Sequence, residues 1–185
     1  FFPPGAHVVF AGIDAIEPDR NRVRLEDGQI LPYDWLIVAT GAKTAPDETE
    51  GLKGEGWYRN IFDFYTVEGA TALGEFLQDW KGGRVVINIT EMPIKCPVAP
   101  LEFAFLADWW FTEQGLRDKV EIEFVTPLSH AFTKPVAARY LGGFLEQKNI
   151  NLTTDFSTGS VDAANNRIVS WDDKEIGYDL LVTIP

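Results

Sequence analysis

Apolar and polar residues follow two different periods along this chain of 185 residues, and the changes of period mark its elements. From residue 66 onward, segments with apolar residues at helical intervals alternate with short apolar runs. The runs predict buried strands and the segments between them predict helices. The predicted strands are RVVINIT, VEIEFVT and a short strand at 150–153; the predicted helices start at Thr66, at 101 (to 114) and at about 135 (to 148). Strands that alternate with helices indicate a parallel sheet with helices on its faces.

Two segments of the chain resemble each other. NRVRLEDGQILPYDWLIVATG begins at Asn21, and NRIVSWDDKEIGYDLLVTIP begins at Asn166. In both, Asn-Arg is followed by a β-branched residue, a turn rich in Asp, a Tyr-Asp pair and an apolar run. This pattern predicts a β-meander that leads into a central buried strand, WLIVAT in the first copy and LLVTIP in the second.

The repeat divides the chain into two parts. Residues 43–185 are expected to form one complete domain, and residues 1–42 the end of a preceding domain whose main part is absent. The chain does not begin with Met, so we expect an excised piece of a longer protein. The predicted fold class is α/β, with a Rossmann-like parallel sheet, helices on both of its faces and a β-meander, preceded by a second β-meander.

Composition and charge exclude several kinds of function. The chain is 45% hydrophobic and 24% charged, as is typical of a soluble globular protein. Its net charge of -12 excludes nucleic-acid binding through a basic surface. No segment approaches the run of about 18 apolar residues that a membrane span requires. One cysteine and two histidines are too few for a structural zinc site, so no metal is expected.

The connection EMPIKCPVAP, residues 91–100, lies between a predicted strand and a predicted helix. A nucleotide-binding turn at this place is rich in glycine, whereas this one has three prolines, no glycine and Cys96. NAD(P)H binding is therefore disfavoured. A thiolate is the nucleophile in sulfur exchange, and a helix N-terminus and the neighbouring Lys95 both stabilise one. The alternative is that Cys96 is a small buried apolar residue.

Two motifs resemble those of known flavoproteins. YDWLIVATGA is similar to the strand of the pyridine nucleotide-disulfide oxidoreductases that ends against the flavin, and this resemblance implies that Ala39, Thr40 and Gly41 approach FAD. KCPVAP resembles the Lys-Cys-x-x-Ala-Pro signature of sulfide:quinone oxidoreductases and the Cys-Pro-x-x-Pro of flavocytochrome sulfide dehydrogenases. The first part of the chain would then be a remnant of an FAD-binding domain, and the second a domain similar to an NAD-binding one.

The second resemblance implies roles for four residues. Cys96 would be a redox-active cysteine beside the flavin, with a second cysteine beyond the end of this chain as its partner. Lys95 and Pro97 would lie at the cofactor. His130 follows the second long strand at the distance where several members have a histidine linked to quinone reduction. One departure is that the upstream cysteine of many members is absent from NIFDFYTVEG.

The resemblance also implies the activity of a parent enzyme. This enzyme would oxidise sulfide and pass electrons through FAD to a quinone, as a peripheral membrane protein attached through a missing C-terminal region. The 185 residues alone would be soluble, without bound FAD and inactive, and the apolar helix 101–114 would favour self-association. Two alternatives remain open: an NADH:quinone oxidoreductase of the same superfamily, and a non-catalytic interaction domain that retains the fold.

Overall fold

A computed structural model describes residues 3–185 of the protein. The chain divides into two compact units, one that ends at Gly41 and one that runs from Ala42 to Pro185. The boundary expected from the repeat lies one residue later. That the first unit is the end of a flavin-binding domain stays a prediction.

The first unit contains a three-stranded antiparallel meander. Its strands, in the order β1-β2-β3, are β1 (Ile13–Glu17), β2 (Arg22–Leu25) and β3 (Ile30–Pro32). Asn21 adopts a left-handed conformation with φ of 49° between the first two strands, a conformation that Asn tolerates in tight turns. Val23 and Leu25 are the buried residues of β2.

The predicted strand WLIVAT is wrong for this unit, because residues 35–40 form no regular element. Trp35 is 93% exposed and Ile37 is 89% exposed. Within the described residues 3–185 no strand is hydrogen-bonded to this segment, so its backbone groups have no ladder partners and its apolar side chains have no facing layer. Ala39, Thr40 and Gly41 accordingly lie in an exposed, irregular segment.

The second unit is built on a five-stranded parallel sheet in the order β4-β11-β5-β6-β7. The strands of this unit are β4 (Ile61–Phe62), β5 (Gly83–Ile89), β6 (Val120–Val125), β7 (Ile150–Thr153), β8 (Thr158–Asp162), β9 (Arg167–Ser170), β10 (Glu175–Gly177) and β11 (Leu180–Ile184). The helices are α1 (Val67–Asp79), α2 (Ala99–Glu113) and α3 (Pro135–Gln147). Strands β8, β9 and β10 form a second antiparallel meander. The predicted α/β class with a parallel sheet and a meander is confirmed.

The two faces of the parallel sheet have different coverings. Along β5, Val85 and Ile87 belong to a core shared with all three helices, whereas Val86 belongs to a second core shared with the meander β8–β10. The period of two along the strand explains why neighbouring residues enter different cores. The expectation of helices on both faces is therefore wrong: the three helices cover one face, and the apolar side of the meander β8–β10 covers the other.

Helix α2 is apolar on most of its surface, as its sequence indicates. Ala104 and Phe111 are buried against the sheet, whereas Leu106 and Trp109 are 60% and 57% exposed. Among residues 3–185, no helix has both the length and the apolar character needed to cross a bilayer.

Candidate functional site

A cavity lies at the carboxyl end of the parallel sheet, beside the two strands between which the strand order reverses, β5 and β11. Strands β6 and β7 follow β5 on one side of it in the sheet, whereas β11 pairs with β5 on its other side. Ligands of α/β folds bind at such a crevice. The cavity has a volume of about 360 Å³. We name it the switch-point cavity; its lining includes Lys43, Glu48, Thr90, Glu91, Lys95, Thr158, Gly159, Trp171 and Pro185.

The floor of the switch-point cavity is a fixed polar layer. The Thr90 hydroxyl donates to the Ile184 carbonyl over 2.8 Å, which joins the ends of β5 and β11. Behind it, the fully buried Asn88 donates from Nδ2 to the Thr158 hydroxyl over 2.9 Å and accepts from the Thr183 hydroxyl over 3.3 Å. A buried amide requires such partners. The two hydroxyls at the cavity are thus held by the sheet itself.

The rim of the switch-point cavity is charged. Lys43 and Lys95 contribute two cations, and Glu48 and Glu91 contribute two carboxylates. In the part of the chain that the structure describes, no ion pair includes any of these four side chains. Their charges are therefore available to a polar ligand with both donor and acceptor groups.

Cys96 lies in the connection between β5 and α2, at the same end of the sheet. It is half-buried and not in a disulfide, and it precedes the first residue of α2, Ala99, by three positions. The predicted helix began two residues later, so the thiol is closer to the helix N-terminus than expected. The Cys96 carbonyl accepts hydrogen bonds from the Ala99 N–H over 3.2 Å and from the Tyr65 hydroxyl over 3.0 Å.

The other predicted site residues occupy different places. Lys95 lines the switch-point cavity, and Pro97 is exposed in the turn that follows Cys96. His130 lies after β6; its ring is half-buried, and Nδ1 is buried without a hydrogen-bond partner among the described residues. Within residues 3–185, no hydrogen bond joins His130 to Cys96. The roles proposed for these residues stay predictions.

Sequence reasoning missed Tyr65, Lys43 and the hydroxyls of Thr90 and Thr158. Tyr65 comes just before α1 and contacts Cys96 across 31 positions of the chain. The run FDFY before a helix was a visible signal of an aromatic anchor, but not of its partner. The two threonines follow or open strands of different sheets, so only the tertiary fold brings them to one cavity.

The switch-point cavity fits the ring system of a flavin, the cofactor that the resemblance implies, better than it fits the phosphates. Its volume is in the range of small-molecule sites, its hydroxyls and lysines suit a polar ring edge, and the indole of Trp171 offers a flat apolar surface. Phosphates require backbone N–H groups in a glycine-rich turn. The connection at residues 90–98 instead has two prolines, which lack an N–H group, and no glycine.

Comparison with known sequences finds several relatives that are sulfide:quinone oxidoreductases. No protein-family model matches the chain. It is 25% identical over 189 residues to the mitochondrial sulfide:quinone oxidoreductase of Dictyostelium discoideum, which covers 100% of this chain and 42% of that protein. It is 26% identical over 150 residues to the corresponding mouse protein, covering 81% of this chain and 33% of that protein. A shorter match, 35% identical over 81 residues and 44% of the chain, is to an NADH dehydrogenase-like protein of Mycobacterium tuberculosis.

Comparison with solved structures shows a shared fold. The solved structure of the sulfide:quinone oxidoreductase from Aquifex aeolicus superposes with a TM-score of 0.74 at 21% identity, over 95% of this chain and 41% of that one. The chain thus spans less than half the length of the relatives that it matches. The resemblance indicated by Lys95, Cys96, Ala99 and Pro100 is confirmed: in sequence and in fold, this chain is similar to part of a sulfide:quinone oxidoreductase.

Proposed function

We propose that this chain is part of an FAD-dependent enzyme that oxidises sulfide through Cys96 and transfers the electrons through the flavin to a quinone. The observation that carries the proposal is the place of Cys96. The only cysteine of the chain lies in a proline-rich connection at the carboxyl end of a central strand. The sequence around it matches a sulfide:quinone oxidoreductase over the whole length of this chain.

The chemistry of Cys96 would be thiol-disulfide exchange. Hydrosulfide attacks one sulfur of a disulfide between Cys96 and a second cysteine, a new S–S bond forms, and the displaced sulfur leaves as a thiolate. The product carries the incoming sulfur as a persulfide. The second cysteine must come from outside these 185 residues, because Cys96 is the only one that they contain. FAD, when bound, supplies the acceptor for the electron pair that sulfide loses.

The charged rim has a role in this proposal. Lys95 precedes Cys96 and lines the switch-point cavity, so its ammonium group favours the approach of anionic hydrosulfide. Lys43 and the hydroxyls of Thr90 and Thr158 would hold the polar edge of the flavin ring. The approach of Ala39, Thr40 and Gly41 to FAD stays a prediction from the resemblance. Quinone binding, in which His130 would take part, and attachment to a membrane are assigned to the parent enzyme. The 185 residues alone are expected to be inactive.

Quinone reduction by the flavin-containing parent tests the proposal. Cys96→Ser is expected to lower sulfide-dependent quinone reduction by at least about three orders of magnitude, as removal of a nucleophile does in other enzymes. The flavin content and visible spectrum of the variant should match those of the parent, which shows that the fold is intact. Turnover of the Cys96→Ser enzyme at the parental rate would overturn the proposal.

The match to a mycobacterial NADH dehydrogenase-like protein favours a second candidate, NADH:quinone oxidoreduction. The absence of glycine from the connection at residues 90–98 argues against it, since a nicotinamide nucleotide needs a close approach to that backbone. NADH should therefore fail to reduce the flavin of the parent enzyme. Reduction of the flavin by NADH but not by sulfide would replace the first candidate with the second, and reduction by neither would favour a non-catalytic domain.

A further inference from the structure

Tyr65 lies in a segment that is fixed at the start of α1. The buried carboxylate of Asp63 accepts hydrogen bonds from the Tyr65 N–H over 2.9 Å, from the Thr66 N–H over 2.7 Å and from the Tyr58 hydroxyl over 3.1 Å. Thr66 in turn caps α1 by accepting from the Gly69 N–H over 3.0 Å. Because all three donors converge on one buried group, the backbone of Tyr65 has a defined position.

Aromatic contacts fix the same segment to α2. The ring of Phe64 stacks on Tyr65 at 5.0 Å and on Phe103 of α2 at 4.8 Å, the latter with an interplanar angle of only 11°. Stacked aromatic pairs of this kind stabilise a contact beyond the burial of their surface. Tyr65 is therefore anchored to both the start of α1 and the helix that follows Cys96.

From this anchored position, Tyr65 holds the peptide group between Cys96 and Pro97. Its hydroxyl and the Ala99 N–H both donate to the Cys96 carbonyl, so both lone pairs of that oxygen have a partner. Pro97 fixes its own φ and restricts the backbone of the residue before it. The hydrogen bond from Tyr65 and the ring of Pro97 thus together set the direction in which the side chain of Cys96 leaves the backbone.

The Tyr65 hydroxyl keeps its proton under working conditions. The pKa of Tyr65 is raised to about 12, chiefly by burial and in smaller part by the negative charges of a Cys96 thiolate and of Glu102 on α2. A phenol with this pKa remains a donor at every pH at which an enzyme of this kind operates. A carboxyl or imidazole group in its place would change between donor and acceptor.

We propose that Tyr65 is a positioning residue that orients Cys96 for sulfur exchange by holding the carbonyl of that cysteine. This inference depends on the proposed redox role of Cys96 for its consequence in turnover, but not for the contact itself. The loss of the hydroxyl should release the thiol-bearing connection while leaving the helices in place. A small reagent should then reach the thiol more easily, whereas exchange with a second cysteine, which needs one orientation, should become slower.

The test uses Tyr65→Phe, with Tyr140→Phe as the matched control, because Tyr140 is an exposed tyrosine on α3. In the 185-residue chain, Tyr65→Phe should move the carbonyl ¹³C resonance of Cys96 and raise its rate of alkylation by iodoacetamide, with little change in unfolding temperature. The control should change neither. Since the chain has one cysteine, the alkylation signal is unambiguous. An unchanged resonance and an unchanged alkylation rate in Tyr65→Phe would overturn the inference.

A second variant guards against a general loss of structure. Phe64→Leu retains the hydroxyl but weakens its aromatic support, so it should move the same resonance in the same direction and by less. A larger movement in Phe64→Leu than in Tyr65→Phe would contradict a role for the hydroxyl.

In the flavin-containing parent, Tyr65→Phe should lower the maximal rate with sulfide about two- to tenfold, the factor that corresponds to one hydrogen bond, with an unchanged KM. Unaltered turnover of Cys96→Ser would overturn the proposed function and leave the contact with Tyr65 standing. Conversely, loss of turnover in Cys96→Ser combined with a silent Tyr65→Phe would overturn only the positioning role.

Discussion

The two β-meanders have the same backbone contacts at corresponding positions. Asn21 and Asn166 adopt left-handed conformations with φ of 49° and 50°. Their carbonyls accept hydrogen bonds from the N–H groups of Tyr33 and Tyr178, over 2.9 and 2.8 Å. The repeat seen in the sequence is therefore a repeat of turn geometry, and it is set by residues close to one another in the chain.

An ion pair is repeated as well. Arg22 pairs with Glu17 across the first turn, and Arg167 pairs with Asp162 across the corresponding turn. Each joins the second strand of its meander to the end of the first strand. The likeness of the meanders thus includes side chains as well as backbone.

The segments that follow the two meanders differ completely. Leu181 lies in β11 between two parallel neighbours and is fully buried, while the corresponding Leu36 is 38% exposed in an irregular segment. The Asp179 carboxylate accepts from the Arg84 N–H over 2.7 Å, a contact with β5 that comes from a distant part of the chain. A hairpin forms from its own residues, but a central parallel strand requires strands supplied from elsewhere.

The largest test of this difference is a matched pair of leucine truncations. Leu181→Ala should lower the free energy of unfolding of its unit by about 2–5 kcal/mol, because it leaves a cavity between the sheet and the meander. Leu36→Ala should change stability by less than about 1 kcal/mol, as expected for an exposed position. Urea unfolding followed by circular dichroism measures both. Equal effects would show that the two segments have the same environment.

A smaller effect is expected for the Tyr-Asp pair. Asp179→Ala removes the acceptor of the Arg84 N–H and should lower the free energy of unfolding by about 1 kcal/mol. Asp34→Ala at the corresponding place should have no measurable effect, since within residues 3–185 no hydrogen bond to its side chain is present. The measurement is the urea concentration at the midpoint of unfolding, compared between each variant and the unchanged chain. A destabilising Asp34→Ala would mean that the first copy also has a partner for its aspartate.

The smallest expected effect is the pH response of the two meanders, which should be alike. The hydrogen bond from Arg22 is the main cause that lowers the pKa of Glu17 below 4.5, and a hydrogen bond from Asn165 is the main cause that lowers that of Asp162 below 3.8. A pKa lowered by folding means that the stabilisation is present above the unfolded value and is lost as the pH falls through the folded one. Carboxyl ¹³C titration should give midpoints below 4.5 and 3.8. If only one of these two carboxyl groups had a lowered pKa, the two meanders would differ in this electrostatic contact.

Much of the fold could be predicted because its signals are local. Thr66 was expected at the start of a helix, and it caps α1; the strands around Val86 and Phe124 were indicated by short apolar runs. The exposed segment at Trp35 was mispredicted because an apolar run has the same sequence whether or not partner strands are present. The layer opposite the helices was mispredicted because periodicity within a strand does not show what covers each face.

The candidate site was predicted only in part for a similar reason. The position of Cys96 follows from its neighbours in sequence, since a connection after a strand lies at the carboxyl end of the sheet. The contact with Tyr65 is tertiary. The ion pairs of Asp108 are tertiary as well: this residue of α2, outside the candidate site, accepts from Arg117 over 2.7 Å and from Lys148 over 2.6 Å. Burial opposes ionisation of Asp108, but these two cations outweigh it and lower its pKa.

The most direct test of the central claim is to find where the sulfur atom from sulfide is held. The flavin-containing parent is mixed with one equivalent of sulfide, trapped at once with an alkylating reagent and digested for mass spectrometry. We predict a peptide containing Cys96 with the mass of one additional sulfur atom or, if the partner cysteine carries the persulfide, an alkylated thiol at Cys96 that was absent before sulfide was added. A Cys96 whose state is the same before and after the addition of sulfide, while the flavin becomes reduced, would contradict the account.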